Sequence, residues 1–236
     1  MKKILTFCFF LLFATNIQAQ DFSNLRLGIQ VSPTFSWMST NSNQITSSGT
    51  KLGLNLGFTG EYFFTENYSL VSGVSLLVNQ GGGLEYSYAG NFLENTAAED
   101  RPTSAIDISN IPAESKISYS NQYIEIPVSI RLRTNEFGYF RYFAEMPVFS
   151  LGFRTQSRAD ISGTLTSDNE NIAGDMNPVS FKWGLGGGVE YSVSQSLSLV
   201  GGIYYNSTLI DVIKDSTDDD SKATINSLTI KIAALF

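Results

Sequence analysis

From residue 25 onward, apolar and polar positions alternate with a period of two, the signature of strands with two unlike faces. A first strand over residues 25–38 places Leu25, Leu27, Ile29, Val31, Phe35 and Trp37 on one face. Arg26, Gly28, Gln30, Ser32, Thr34 and Ser36 fall on the other. Residues 51–64 repeat the pattern, with Leu52, Leu54, Leu56, Phe58, Tyr62 and Phe64 against Gly53, Asn55, Gly57, Thr59 and Glu61. Further strands are predicted over 68–80, 116–134, 139–155 and 179–192, from Leu197 onward, and over 223–236. In the fifth, Phe140, Tyr142, Ala144, Met146 and Val148 share the apolar face. Pro127 and Pro147 lie inside strands; lacking a ladder N–H, each predicts a bulge or local break.

The links between these strands alternate in length. Those after the second, fourth and sixth strands span a few polar residues, such as Thr65-Glu66-Asn67 and Asn135-Glu136-Phe137-Gly138. Those after the first, third, fifth and seventh are long and polar, near 39–50, 81–115, 156–178 and 210–222. Short turns at one end and long loops at the other fit an outer-membrane barrel and have no counterpart in a soluble sandwich. The expected fold is all-β: an eight-stranded antiparallel up-and-down transmembrane β-barrel with short periplasmic turns and long extracellular loops. An even strand number puts both termini on the periplasmic side. At eight strands side chains nearly fill the interior, so no wide pore is expected.

The chemistry of the two faces gives the barrel its direction. The polar face carries Arg26, Glu61, Glu125, Arg131, Arg133, Arg141, Glu145, Lys182, Glu190 and Lys231, together with many Gly, Ser and Thr residues. The other face is aliphatic and aromatic, with no charge near the middle of a strand. A mid-membrane charge on the lipid face would cost about 2–4 kcal/mol, so the charged face is the lumen. Arg26, Glu61, Glu125, Arg131, Arg141, Glu145, Lys182, Glu190 and Lys231 are expected to form a structural charge network there. Aromatic residues near strand ends, among them Trp37, Tyr62, Phe64, Tyr68, Phe140, Tyr142, Phe181, Trp183, Tyr191, Tyr205 and Phe236, fit interfacial girdles.

The N-terminus assigns the compartment. Lys2 and Lys3, an apolar run over 4–14 and a small residue at Ala19 have the layout of a secretory signal peptide over 1–19, with the barrel domain over 20–236 and a mature start at Gln20. A spanning helix needs about 20 apolar residues, and this run is shorter. Export through the Sec route leaves 217 residues with a net charge near −9, which argues against a nucleic-acid partner. The one cysteine, Cys8, lies within the leader, so no disulfide or thiolate metal site is expected. There is no histidine, which removes the commonest general base and metal ligand. The reading is therefore non-enzymatic, with no cofactor and no metal. Gly184, Gly186 and Gly188 recur at every second position in a strand; they read as lumen space, not as a phosphate loop. The acidic run 215–220 reads as a solvated loop, with divalent bridging to lipopolysaccharide as a weaker variant.

The segments Tyr123-Ile124-Glu125-Ile126-Pro127-Val128, Glu145-Met146-Pro147 and Gly184-Leu185-Gly186-Gly187-Gly188-Val189-Glu190-Tyr191 resemble the PorT-like outer-membrane β-barrel family of bacteria that carry type IX secretion. The resemblance implies, as an alternative, an accessory role in protein secretion across the envelope, with envelope or secretion proteins as partners. The final alternation Leu228, Ile230, Ile232, Ala234, Phe236 resembles the insertion signal read by the barrel-assembly machinery. The expected partners are outer-membrane lipid, lipopolysaccharide and that machinery. The expected functions are surface interaction or envelope integrity through the outer loops, an accessory secretion role, or a narrow channel.

Overall fold

A computed structural model describes residues 24–94, 110–214 and 221–236. The leader expected over 1–19, the start at Gln20 and the acidic run 215–220 lie outside the described residues. Ten strands are present among the described residues: β1 (Leu25–Thr40), β2 (Ile45–Ser47), β3 (Thr50–Thr65), β4 (Tyr68–Tyr86), β5 (Ser115–Arg133), β6 (Phe140–Ser162), β7 (Ser167–Asn171), β8 (Val179–Ser192), β9 (Ser198–Thr208) and β10 (Ala223–Leu235). Eight of them close one antiparallel ring in the order β1-β3-β4-β5-β6-β8-β9-β10, and β10 returns to β1. Each strand of the ring pairs with its neighbour in sequence, which makes an up-and-down barrel with no free edge in the ring. β2 adds to β4 and β7 adds to β6, both at the long-loop end.

The outward face is the apolar one. Leu27, Ile29, Val31, Leu54, Leu56, Phe58, Val74, Ile126, Val128, Leu185, Ile203, Ile230 and Ile232 are all exposed. Two aromatic girdles bound this belt. At the short-turn end, Tyr191 makes edge or tilted contacts with Tyr139 and Phe140, and Tyr62 meets Phe64. Toward the long-loop end, Tyr205 lies between Trp37 and Trp183, and Phe149 stacks on Phe181. On β8 the girdles are marked by Tyr191 and Trp183, roughly 26 Å apart along the strand at about 3.3 Å per residue.

Two prolines behave differently. At Pro147 the β6–β8 ladder slips between Glu145 and Val148, and the β5–β6 ladder slips opposite, between Ser129 and Arg131. The slip reverses the parity of β6. Val148, expected outward with Phe140 and Tyr142, is buried in the interior, and Phe149, Leu151 and Phe153 take the outward positions. Pro127, expected to break its strand, does not shift the register: Ile126, Pro127 and Val128 pair in sequence with Leu151, Ser150 and Phe149. Its carbonyl still accepts a hydrogen bond, from the Ser72 hydroxyl at 3.0 Å.

The long-loop end differs most from expectation. β4 continues to Tyr86 and β6 to Ser162, through stretches expected as loop. A bulge between Leu77 and Gln80, with Asn79 at φ 59°, reverses the parity of β4 so that Leu84 and Tyr86 point inward. The glycines that follow let the strand pass close over β1 and the link between β2 and β3: a Cβ on Gly82 would lie 2.6 Å from the Met38 nitrogen, and one on Gly83 would overlap the Ser48 carbonyl oxygen. Met38, Leu84, Ile117, Tyr119, Ile161 and Ile225 from the strand ends pack there with Ile45, Phe92, Leu93, Ile111, Ile172, Met176 and Val212. Tyr86 stacks on Phe92 at 4.1 Å and shares a hydroxyl hydrogen bond with Tyr119 at 2.8 Å. The barrel is thus polar inside at the level of its apolar belt and hydrophobic inside above it, where a packed cap covers the mouth.

Candidate functional site

Strand register assembles the charges in the lower lumen. Arg26 stands opposite Glu61, Arg131 opposite Glu145, and Ser69 opposite Arg131. The Glu61 carboxylate accepts hydrogen bonds from Arg26 at 3.1 Å and Arg131 at 3.2 Å, as well as from Arg133 and Ser69. Glu190 accepts from Arg26 across the lumen at 2.8 Å and lies 3.4 Å from Arg133. Glu145 Oε1 accepts from Arg131 Nε at 2.8 Å, Arg131 Nη2 at 2.6 Å and the Tyr204 hydroxyl at 2.7 Å, while its Oε2 accepts from Ser129 at 2.9 Å. Rings cover the cations: Phe63 lies between Arg26 and Arg133, and Phe143 sits 4.5 Å from the Arg131 guanidinium.

Six of the nine expected network residues therefore meet in one cluster: Arg26, Glu61, Arg131, Glu145, Glu190 and, at 4.0 Å from Glu145, Lys231. Lys182 and Glu125 form a separate ion pair higher in the lumen, with Lys182 5.4 Å from the Tyr123 ring. Arg141 is not in the network. Its Cα pairs with Glu190, but its guanidinium turns to Glu136 in the short link, where both are partly exposed at the rim. A pair at the partly exposed rim carries a smaller desolvation penalty than one inside the lumen. Arg133, on the polar face but outside the expected set, bridges Glu61 and Glu190. Its alternation with Arg131 was the available signal.

Tyr204 is the other addition. A Cβ on Gly186 would overlap the Tyr204 ring, so the alternating glycines of β8 provide the space in which that ring crosses to Glu145. Below the cluster, a basin of about 860 Å³ opens between the short links, lined by Arg26, Phe63, Arg133, Arg141, Glu66 and Glu136. Above it lies a smaller space of about 70 Å³, lined by Ser32, Ser75, Glu125, Glu145, Lys182 and Lys231 among others. A buried cluster of this kind is held by mutual satisfaction: desolvating each ion costs several kcal/mol, recovered only when partners and hydrogen bonds are complete. Phe236, expected as a lipid-facing insertion signal, lies outward and 60% exposed, its backbone exchanging both ladder hydrogen bonds with Leu27.

The sequence profile of the family described as "Outer membrane protein beta-barrel domain" matches residues 18–214. The chain belongs to that family. This outer-membrane barrel therefore resides in the bacterial outer membrane, and the belt between its girdles faces lipid. Solved structures similar to it include Neisserial surface protein A, at 12% identity and TM-score 0.47, with 89% of this chain and 95% of that one covered. The attachment invasion locus protein Ail of Yersinia pestis has 9% identity and TM-score 0.39, covering 89% and 98%. A major outer membrane protein of Thermus thermophilus has 12% identity and TM-score 0.41, covering 90% and 98%. No curated protein sequence matches the chain significantly.

Proposed function

We infer that this barrel is non-enzymatic and acts through its long-loop end, which faces the cell exterior, in surface interaction or envelope integrity; the short turns and both termini face the periplasm. The observation that carries this reading is the build of that end. A membrane-crossing strand needs about 9–11 residues. β4 and β5 have 19 each and β6 has 23, whereas β9 has 11 and β10 has 13. The β4–β6 wall overshoots the belt, carries β2 and β7, and supports a hydrophobic cap of its own. A barrel that served only as an anchor would have no use for a packed cap. Among the described residues the lumen below it is occupied by the ionic cluster, which supports the loop-based reading over the channel reading.

The test is to replace residues 41–49, 87–114 and 163–178 with short turns. The shortened protein is expected to insert and keep its heat-modifiable gel migration while losing surface binding or resistance of the envelope to detergent. An unchanged surface phenotype overturns the reading. Crosslinking in intact cells that captures secretion components, with a secretion defect on deletion, would instead favour the accessory role that the PorT-like segments imply.

A further inference from the structure

Between the girdles, among the described residues, five cations face four carboxylates: Arg26, Arg131, Arg133, Lys182 and Lys231 against Glu61, Glu125, Glu145 and Glu190. The excess falls on Lys231. Each arginine donates to a carboxylate and Lys182 is held by Glu125, but Lys231 makes no hydrogen bond among the described residues. Its one ionic neighbour there, Glu145 Oε1, is 4.0 Å away and already accepts three hydrogen bonds. The Lys231 side chain keeps 11% of its surface, which opens onto the 70 Å³ space in mid-lumen.

The walls of that space carry the Glu125 and Glu145 carboxylates, paired with Lys182 and Arg131, and two hydroxyls that have nothing to donate to. The hydroxyls of Ser32 and Ser75 line it, are 1% and 3% exposed, and have no hydrogen-bond partner. Ser32 follows Val31, which pairs with Ile232, so the antiparallel register places Ser32 beside Lys231 across the β1–β10 ladder. An ammonium with no hydrogen bond, held only by Glu145 at 4.0 Å and the Tyr204 ring at 5.1 Å, and two unpartnered hydroxyls deep in a membrane-embedded barrel are each costly. A small anion beside Lys231 offsets the charge and accepts from Ser32 at once. Water alone satisfies the hydroxyls but leaves the charge.

We propose that the mid-lumen space is a binding site for one small monovalent inorganic anion of the halide class, held by the Lys231 ammonium with help from Ser32. The space, about 70 Å³, admits such an ion with water, since by the same measure a cavity needs only about 10–15 Å³ to hold one water. The site makes the barrel's stability depend on which anion is present during folding, because a ligand that binds the folded state alone stabilises it in proportion to the logarithm of its concentration.

The test uses the full barrel refolded into detergent micelles in bromide, as a heavy stand-in for chloride, and in gluconate at equal ionic strength. Anomalous diffraction from the bromide form is expected to show a single peak in the space, in contact with Lys231 Nζ. The thermal midpoint of the gel-mobility shift is expected to be higher in bromide and chloride than in gluconate. Lys231→Met removes both the peak and the anion dependence, and Ser32→Ala, which leaves every ion pair in place, weakens both if the lysine variant does not fold. Water without anomalous signal and equal midpoints in all three salts overturn the proposal. So does a bromide peak that persists in Lys231→Met.

Discussion

The Arg131 guanidinium, 1% exposed, is the centre of the lower-lumen cluster and the sharpest place to perturb it. Arg131→Met keeps the volume and the contact with Phe143 but deletes three hydrogen bonds, two to Glu145 and one to Glu61. Hydrogen bonds to charged groups contribute about 1.5–3 kcal/mol each, while removing one partner of a buried ion pair costs about 3–5 kcal/mol in all. Glu61 retains Arg26, Arg133 and Ser69, so most of the loss falls on Glu145. That carboxylate keeps Ser129 and Tyr204 but has only the distant Lys231 to balance its charge. The expected cost is therefore near the lower bound, about 3 kcal/mol. Glu145→Gln combined with Arg131→Met removes the orphaned charge and is expected to recover about 1–3 kcal/mol relative to the sum of the single variants, since groups in one network do not act additively. Guanidinium unfolding of the barrel in lipid vesicles, followed by tryptophan fluorescence and by gel mobility without boiling, measures both quantities. A cost below about 1 kcal/mol for Arg131→Met, or strict additivity of the pair, refutes the view that the cluster is held by mutual satisfaction.

Three further outcomes follow from individual positions. Gly186→Ala drives a methyl group into the Tyr204 ring, and is expected to displace the tyrosine from Glu145 and destabilise the barrel by about 1–3 kcal/mol, measured by the same unfolding assay. Ile203→Lys puts a charge on the lipid face in the middle of β9, where the side chain is 60% exposed; about 2–4 kcal/mol is lost in vesicles and much less in detergent, so equal losses in both would place this face elsewhere than against lipid. Arg141→Ala removes only the rim pair with Glu136 and is expected to change stability by less than about 1 kcal/mol; a loss comparable to that of Arg131→Met would return Arg141 to the network.

Much of this protein is legible in its residue pattern. A strand that separates water-filled or polar space from lipid must alternate with period two, and the alternation exposes both the strands and the sense of their faces. Loop length then orders the ends. β8 is recovered from the pattern residue for residue, because its period is unbroken and its inward positions are Ser, Lys, Gly and Glu. The aliphatic belt is recovered for the same reason, with Val148 as the exception.

What the pattern could not decide was where parity reverses and which charges meet. A bulge adds one residue to a ladder and moves every later side chain to the other face; Pro147 marked one such place, but Pro127 carried the same mark without a shift, and the bulge between Leu77 and Gln80 has no proline to mark it. So Val148 turned inward after Pro147, and Leu84 and Tyr86 turned inward after Asn79, converting an expected loop into the wall of a hydrophobic cap. Alternation places Arg26, Glu61, Arg131 and Glu190 in the lumen, since a charge facing lipid is too costly. Only closure of the ring brings Arg26 of β1 to Glu190 of β8, 164 residues away, while Arg141, the residue registered beside Glu190, turns to the rim. Face is a local property fixed by the solvent on each side of a strand; partnership across a lumen depends on the curvature and register of the closed sheet.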